Sequence, residues 1–251
     1  GQTLGPIEEL GPTPNRRGTT VSFVPDTEIF GDRAFKPHRL FKLARSKAYL
    51  FAGVEIRWKC APSLASEEVP EEAVFKFPGG LADHLREQIG ARECVTAEPF
   101  AGMQDFPDEA GRVEWAIAWP LDEEGFSSSY CNTIPTAQGG THETGLKSAL
   151  SRGLRAYGEL VKNKEAAKVQ ADDITGGAAI MLSVFIADPQ FQGQTKDKLS
   201  NAEAHRLVET AVRDHFDHWL SGHPAQANAL LEHAIERAEM RLKRRAAKET
   251  K

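Results

Sequence analysis

The sequence predicts an α+β fold, a mixed sheet with helices on one face and further helices closing the C-terminal end. Three observations carry this. Apolar and charged residues alternate in VEIRWKC, with Val54, Ile56, Trp58 and Cys60 on one side, and again in RVEWAIAWPL, with Val113, Trp115, Ile117 and Trp119 on one side. Apolar residues recur at helical spacing from Thr141 to Asn163, through Leu146, Ala149, Leu150, Leu154, Tyr157 and Val161. Several strands precede that first long helix, and no repeat of fixed period is present.

Taken in order, residues 1–18 are rich in Gly and Pro, and TTVSFVP gives a short strand that stops at Pro25. No hairpin mate follows it, so its ladder bonds must be met elsewhere, as expected of a piece cut from a longer chain. Phe35, Leu40, Phe41, Ala44 and Leu50 mark a helix, with Pro37 suited to its first turn. The VEIRWKC strand, an acidic loop, the strand AVFKF and a Pro-Gly-Gly turn come next. Leu81, Leu85 and Ile89 then line a helix that ends at Gly90. Residues 91–110 are loop-like apart from a possible strand at 92–97. FSSSYCNTI is the expected antiparallel partner of RVEWAIAWPL, across a DEEG turn at Asp122 to Gly125. After the long helix comes the strand AAIMLSVFIA. Ser200 and Glu203 form a capping-box pattern ahead of a helix carrying Leu207, Val208, Ala211, Val212, Phe216, Trp219 and Leu220, stopped by Gly222. A second helix from Pro224 has Leu231, Ile235, Ala238 and Leu242 as a narrow stripe and turns polar after Arg241.

A net charge of −5 gives no global attraction for nucleic acid, so any DNA contact has to be local. The three cysteines, Cys60, Cys94 and Cys131, have neither CxxC spacing nor an even count, which points away from a disulfide framework and toward a reducing cytoplasm. Apolar runs such as Ala178–Ala187 are far short of the ~20 residues of a membrane span.

Four segments bear on chemistry. QGGTHETGLKS, from Gln138 to Ser148, imitates a phosphate-binding loop, but Leu146 separates Gly145 from Lys147 where the pattern needs Gly-Lys. A strand-to-helix turn capped by Thr141 is the expected role of its N-terminal part. His215 and His218, with His223 beyond, share a helix with Phe216 and Trp219, and a solvated face is expected there rather than a metal site. The run Arg237, Arg241, Lys243, Arg244, Arg245 and Lys248 is diluted by Glu236, Glu239 and Glu249. In QFQGQTKDKLS, Lys196 lies on a loop between a strand and a helix, where a lysine suits a terminal phosphate and Gln194 adds an amide donor. Taken alone, a loop lysine of this kind is usually an ordinary surface lysine.

YCNTIPTAQGGTHETGLKSAL together with DPQFQGQTKDKLS resembles the B subunit of bacterial type IIA topoisomerases, in its transducer domain. IPTAQGGTH, FAGVEIRWK and GRVEWAIAW are more similar to the topoisomerase IV branch than to the gyrase branch, with a gyrase B transducer as the alternative. The resemblance implies a ribosomal-protein-S5 domain 2-like fold over residues 26–222. It further implies that residues 1–25, with GTTVSFVPD, close a GHKL ATPase lobe, and that residues 223–251 lead toward a Toprim domain. It implies an ATP-hydrolysing parent enzyme that relaxes and decatenates DNA in chromosome segregation, with ATP and Mg²⁺ held mainly by neighbouring domains. Lys196 and Gln194 are then the γ-phosphate contacts, no catalytic or metal-binding residue falls in this stretch, and the stretch alone is expected to be inactive. The implied partners are DNA, the topoisomerase IV A subunit, and a second copy of the B subunit, in the cytoplasm and away from membranes. Three other readings stand beside it: an interaction module without activity; the S5-like domain of another GHKL ATPase, such as a mismatch-repair protein or chaperone, against which the GGTH and QTKDKL signatures argue; and DNA binding through the C-terminal basic helix or through Lys42, Arg45 and Lys47.

Overall fold

A computed structural model describes residues 5–9, 11, 12, 14, 17–31 and 33–249. The chain divides into two units, Gly1–Lys36 and Pro37–Lys251. In the first, Thr19–Pro25 joins no ladder, so the strand expected there is absent. A single helical turn, α1 (Thr27–Phe30), follows, capped by Asp26, whose carboxylate accepts from the Glu28 N–H at 2.8 Å.

In the larger unit the elements run α2 (Pro37–Leu50), β1 (Glu55–Lys59), β2 (Glu72–Lys76), α3 (Gly80–Ile89), β3 (Phe100–Asp105), β4 (Gly111–Ala118), β5 (Ser127–Cys131), β6 (Ile134–Pro135), α4 (Thr141–Leu160), α5 (Ala171–Thr175), β7 (Ala179–Ile186), β8 (Phe191–Gln192), β9 (Lys198–Leu199), α6 (Ala202–Gly222) and α7 (Pro224–Glu249). A five-stranded sheet has the order β3-β4-β7-β5-β6, antiparallel except between β7 and β5.

That order corrects the expected β4–β5 hairpin. β7 lies between the two strands, Gly111 to Ala118 facing Ile186 to Ala179, and β5 runs parallel to β7 from Ser127↔Ile180 to Cys131↔Val184. The glycine of DEEG serves a close approach rather than a reversal. A Cβ on Gly125 would stand 2.1 Å from the Ala178 carbonyl oxygen, beside the point where the Ile180 N–H reaches the Phe126 carbonyl at 2.7 Å. The chain passes under β7, and α4 supplies the long crossover that a parallel pair requires. The strand proposed at 92–97 is only a bridge between Cys94 and Pro120, and the true edge strand is β3. Gly102 and the mixed polarity of FAGMQD hid β3, because its outer face carries no apolar stripe.

The sheet is covered on both faces, not one. On the first, Val113, Trp115 and Ile117 of β4, Trp119 just beyond it, and Ile180, Leu182 and Val184 of β7 form one core cluster with α4, α6 and α7, with Phe100 and Phe216 in ring contact at 4.9 Å. On the second, Ala116, Ala118, Ala179 and Met181 leave room for Leu81 and Leu85 of α3 and for Ala48 to Leu50 of α2. The alternation of Trp and Ala along AIAW is what makes one face deep and the other shallow. Truncating a fully buried aromatic such as Trp115 or Phe216 is expected to cost about 3–5 kcal/mol.

Two predicted caps are not made. Gly140, not Thr141, precedes α4, and no side chain caps that helix. At α6, Asn201 holds the N-cap position and Ser200 donates to the Gln190 carbonyl, so the Ser200–Glu203 box does not form. The Ser200 hydroxyl is drawn into a loop contact that a purely local reading cannot anticipate, whereas the Thr141 hydroxyl is buried without a hydrogen-bond partner. In α7, Ala227, Leu230, Leu231, Ala234 and Ala238 are buried. Arg241 ends that stripe by gripping Asp173 with two bonds of 2.9 Å.

Candidate functional site

The two resembling motifs meet in space. β8 and β9 form a minimal antiparallel hairpin, Phe191↔Leu199 and Gln192↔Lys198, whose tip is Gly193 to Asp197. At its base Asn201 clasps the chain: its Oδ1 accepts from the Gln190 N–H at 2.6 Å, and its Nδ2 donates to the Asp188 carbonyl at 3.0 Å. The flank is held by the turn Thr136–Gly140. The Gln138 N–H donates to the Asp197 carbonyl at 2.8 Å, and the Leu199 N–H to the Gly139 carbonyl at 3.0 Å. Gly140 has φ 147°, and a Cβ there would lie 2.4 Å from the Leu199 carbonyl oxygen, so the turn can lie against the hairpin only with glycine at this position.

Gln194 and Lys196 both fall on the tip and are exposed. Lys196 has φ 59°, and the backbone closure of the tip, Lys196 N–H to the Gly193 carbonyl, is long at 3.5 Å. The Lys196 Nζ stands 6.0 Å from the Phe191 ring centroid, at the outer limit of a cation–π contact. A braced base with a free cation and amide at its end presents donors outward.

Below the turn runs a buried polar chain. His142 Nε2 is 3.1 Å from Thr136 Oγ1, Thr136 Oγ1 is 2.6 Å from Ser129 Oγ, and Ser129 Oγ is 2.6 Å from Glu143 Oε1. Each hydroxyl has one proton and an ionised carboxylate only accepts, so the order of donation is His142 Nε2–H to Thr136, Thr136 to Ser129, Ser129 to Glu143. This leaves His142 Nδ1 bare, buried and without a partner. A second proton would have to sit there, and burial accordingly pushes the His142 pKa down to about 4. The ring is a neutral structural donor. Thr136, Ser129 and Glu143 were not singled out from the sequence; a serine facing the interior of a central strand was the available signal.

The other candidates do not converge. Gly145 lies inside α4, where a Cβ would stand 2.4 Å from the His205 carbonyl oxygen, so this glycine admits α6; Lys147 points toward Asp172 at 3.8 Å. His215 Nε2 is 3.0 Å from Gln104 Oε1, and His223 Nδ1 is 3.0 Å from the Trp219 carbonyl oxygen. Among the described residues no group of three or more His, Cys, Asp and Glu side chains is placed to hold a metal, and no helix is long and apolar enough to cross a membrane. Of the basic residues considered for DNA, Arg45 pairs with Glu87 at 2.6 Å and Lys47 donates to the Thr133 carbonyl at 3.2 Å. Arg237 pairs with Glu123 at 2.6 Å, and Arg241 with Asp173.

The DNA gyrase B family model matches residues 80–250, a span that includes both motifs and the turn joining them. The chain belongs to the DNA gyrase B family. It is 53% identical to the B subunit of DNA topoisomerase 4 from Caulobacter vibrioides over 99% of this chain and 36% of that protein. With the corresponding protein of Bartonella bacilliformis it is 54% identical, over 97% of this chain and 35% of that protein. The chain thus spans about a third of the length of these relatives. Among solved structures, the 43K ATPase domain of Thermus thermophilus gyrase B, in complex with an aminocoumarin, superposes with a TM-score of 0.71 at 30% identity, over 90% of this chain and 60% of that one. The topoisomerase IV ATP-binding domain of Francisella tularensis, in complex with a small-molecule inhibitor, also gives 0.71, at 31% identity over 87% and 57%.

Proposed function

We propose that this gyrase B family chain is the transducer part of the ATPase component of a type IIA topoisomerase, of the topoisomerase IV kind, and that Lys196 and Gln194 sense the γ-phosphate of ATP. The observation that carries the reading is the hairpin, tied at its base by Asn201 and on its flank by Gly139, with an ammonium and an amide free at its tip. These groups fit a terminal phosphate, the lysine as a point charge and the glutamine as a neutral donor. On this reading residues 1–25 complete a GHKL lobe that binds ATP with Mg²⁺, residues 26–222 are an S5-like transducer, and residues 223–251 lead toward a Toprim domain.

Lys196 would then touch the nucleotide in only one arrangement of lobe and transducer, so bound ATP favours that arrangement and hydrolysis releases it. A tenfold bias needs about 1.4 kcal/mol, within reach of one or two charge-assisted bonds. In the whole cytoplasmic enzyme, a dimer of this chain's parent joined to its A-type partner and to DNA, this couples ATP turnover to relaxation and decatenation during chromosome segregation. Lys196→Ala in the full-length protein, reconstituted with that partner, is expected to retain its fold and lose at least tenfold in ATP-dependent strand passage. Normal relaxation by that variant overturns the assignment. The 251-residue chain by itself is expected to hydrolyse ATP no faster than background in a phosphate-release assay.

A further inference from the structure

We infer that Thr136 and Ser129 are positioning residues for the Lys196 hairpin, acting through the turn Thr136–Gly140. The hairpin has two-residue arms and makes only two ladder pairs, too few to fix its own direction. Its orientation is borrowed. The two cross-bonds, Gln138 N–H to Asp197 and Leu199 N–H to Gly139, come from backbone groups on either side of Gly139. The turn bearing them is closed by the Gly139 N–H to the Thr136 carbonyl at 2.8 Å and is joined to β5 by the Thr136 N–H to the Ser129 carbonyl at 2.9 Å.

Side chains lock the same two residues together. Thr136 is 2% exposed, Ser129 6% and His142 0%, so these three links are buried, and the chain meets solvent only at the half-buried Glu143. Its donors are used in one direction only, and loss of one hydroxyl leaves a neighbour unpaired in a dry site. The network therefore holds the turn in one place, and through the turn it holds Asp197 and Leu199 and the tip between β8 and β9. The link from Thr136 to the hairpin stands on geometry alone; its consequence for nucleotide rests on the γ-phosphate reading of Lys196.

Thr136→Val keeps the branched shape and removes the hydroxyl, Thr136→Ser keeps the hydroxyl, and Ser129→Ala removes the next link. Amide hydrogen exchange by NMR on the 251-residue chain is expected to quicken at least tenfold at Gln138 and Leu199 in Thr136→Val and Ser129→Ala. Val113 and Leu182 in the β4–β7 ladder should stay slow, and Thr136→Ser should restore the native rates. Unchanged exchange at Gln138 and Leu199, or a uniform rise across the sheet that Thr136→Ser fails to rescue, overturns the inference. In the full-length protein Thr136→Val should also raise the KM for ATP more than it lowers kcat. Fast exchange with KM unmoved supports the mount while removing the γ-phosphate reading, so the two can fail separately.

Discussion

The turn at Thr136–His142 and the hairpin tip at Gly193–Asp197 lie against each other and differ in almost every respect. In the turn and at the start of α4, Thr136 and His142 are buried and bond to other side chains of the protein. At the tip, Gln194 and Lys196 are exposed, and beyond the Gln138 bond to Asp197 the loop is held by a long backbone bond and a distant ring contact. A segment whose donors are spent inside the fold does structural work. A braced segment that leaves its donors unsatisfied is arranged for something outside the chain. Sequence signatures of similar strength can thus mark a mount and the part it carries.

The sharpest way to break this contrast is at the contact itself. Gly140→Ala places a Cβ against the Leu199 carbonyl at a φ of 147°, and is expected to cost about 2–4 kcal/mol in urea unfolding. Gly193 also has positive φ, 82°, but nothing lies within 4 Å of its would-be Cβ. Gly193→Ala should therefore cost only the ~1–2 kcal/mol of an L-residue in left-handed backbone. Equal costs at the two glycines would mean that the turn does not press on the hairpin.

His142 gives the second test. Folded, its ring stays neutral down to about 4, whereas in the unfolded chain it takes a proton near 6.5. Its contribution is complete above pH 6.5 and is lost as the pH falls toward 4, a change of roughly 3 kcal/mol at 1.36 kcal/mol per unit. Urea midpoints measured from pH 7 to pH 4 should fall less steeply in His142→Gln than in the native chain. Some slope will remain, because burial also pushes His84 and His233 below the usual histidine range. An unchanged slope would mean that the ring can take its second proton inside the fold.

The sequence made the strong periodicities legible, and the structure shows where local pattern stops being enough. β4, β7, α3, α4 and α6 lie where alternation or helical spacing put them. The pairing of β5 was misread because DEEG looks like a turn, and only the contact between Gly125 and Ala178 shows that it is a passage under β7. The second face of the sheet was missed because β4 offers it only Ala116 and Ala118, which announce no core until α3 is laid on them. At the candidate site, Gln194 and Lys196 were named as candidates through motif resemblance. Ser129, Thr136 and Glu143 were not, since a polar network is a three-dimensional object whose members are ordinary residues one by one.

The smallest expected effect is the most discriminating. Lys196→Ala and Gln194→Ala remove exposed side chains that touch nothing in the fold beyond the Phe191 ring at 6.0 Å. Each should leave the stability of the chain within ~0.5 kcal/mol of the native value in urea unfolding, and because Ala keeps the Cβ the Lys196 change leaves the left-handed strain in place. A larger loss in either variant would mean that the tip is part of the fold and that its donors are engaged internally. A null effect on stability, combined with the loss of strand passage expected of the full-length Lys196→Ala protein, separates the two regions cleanly, because no defect in the mount could produce it.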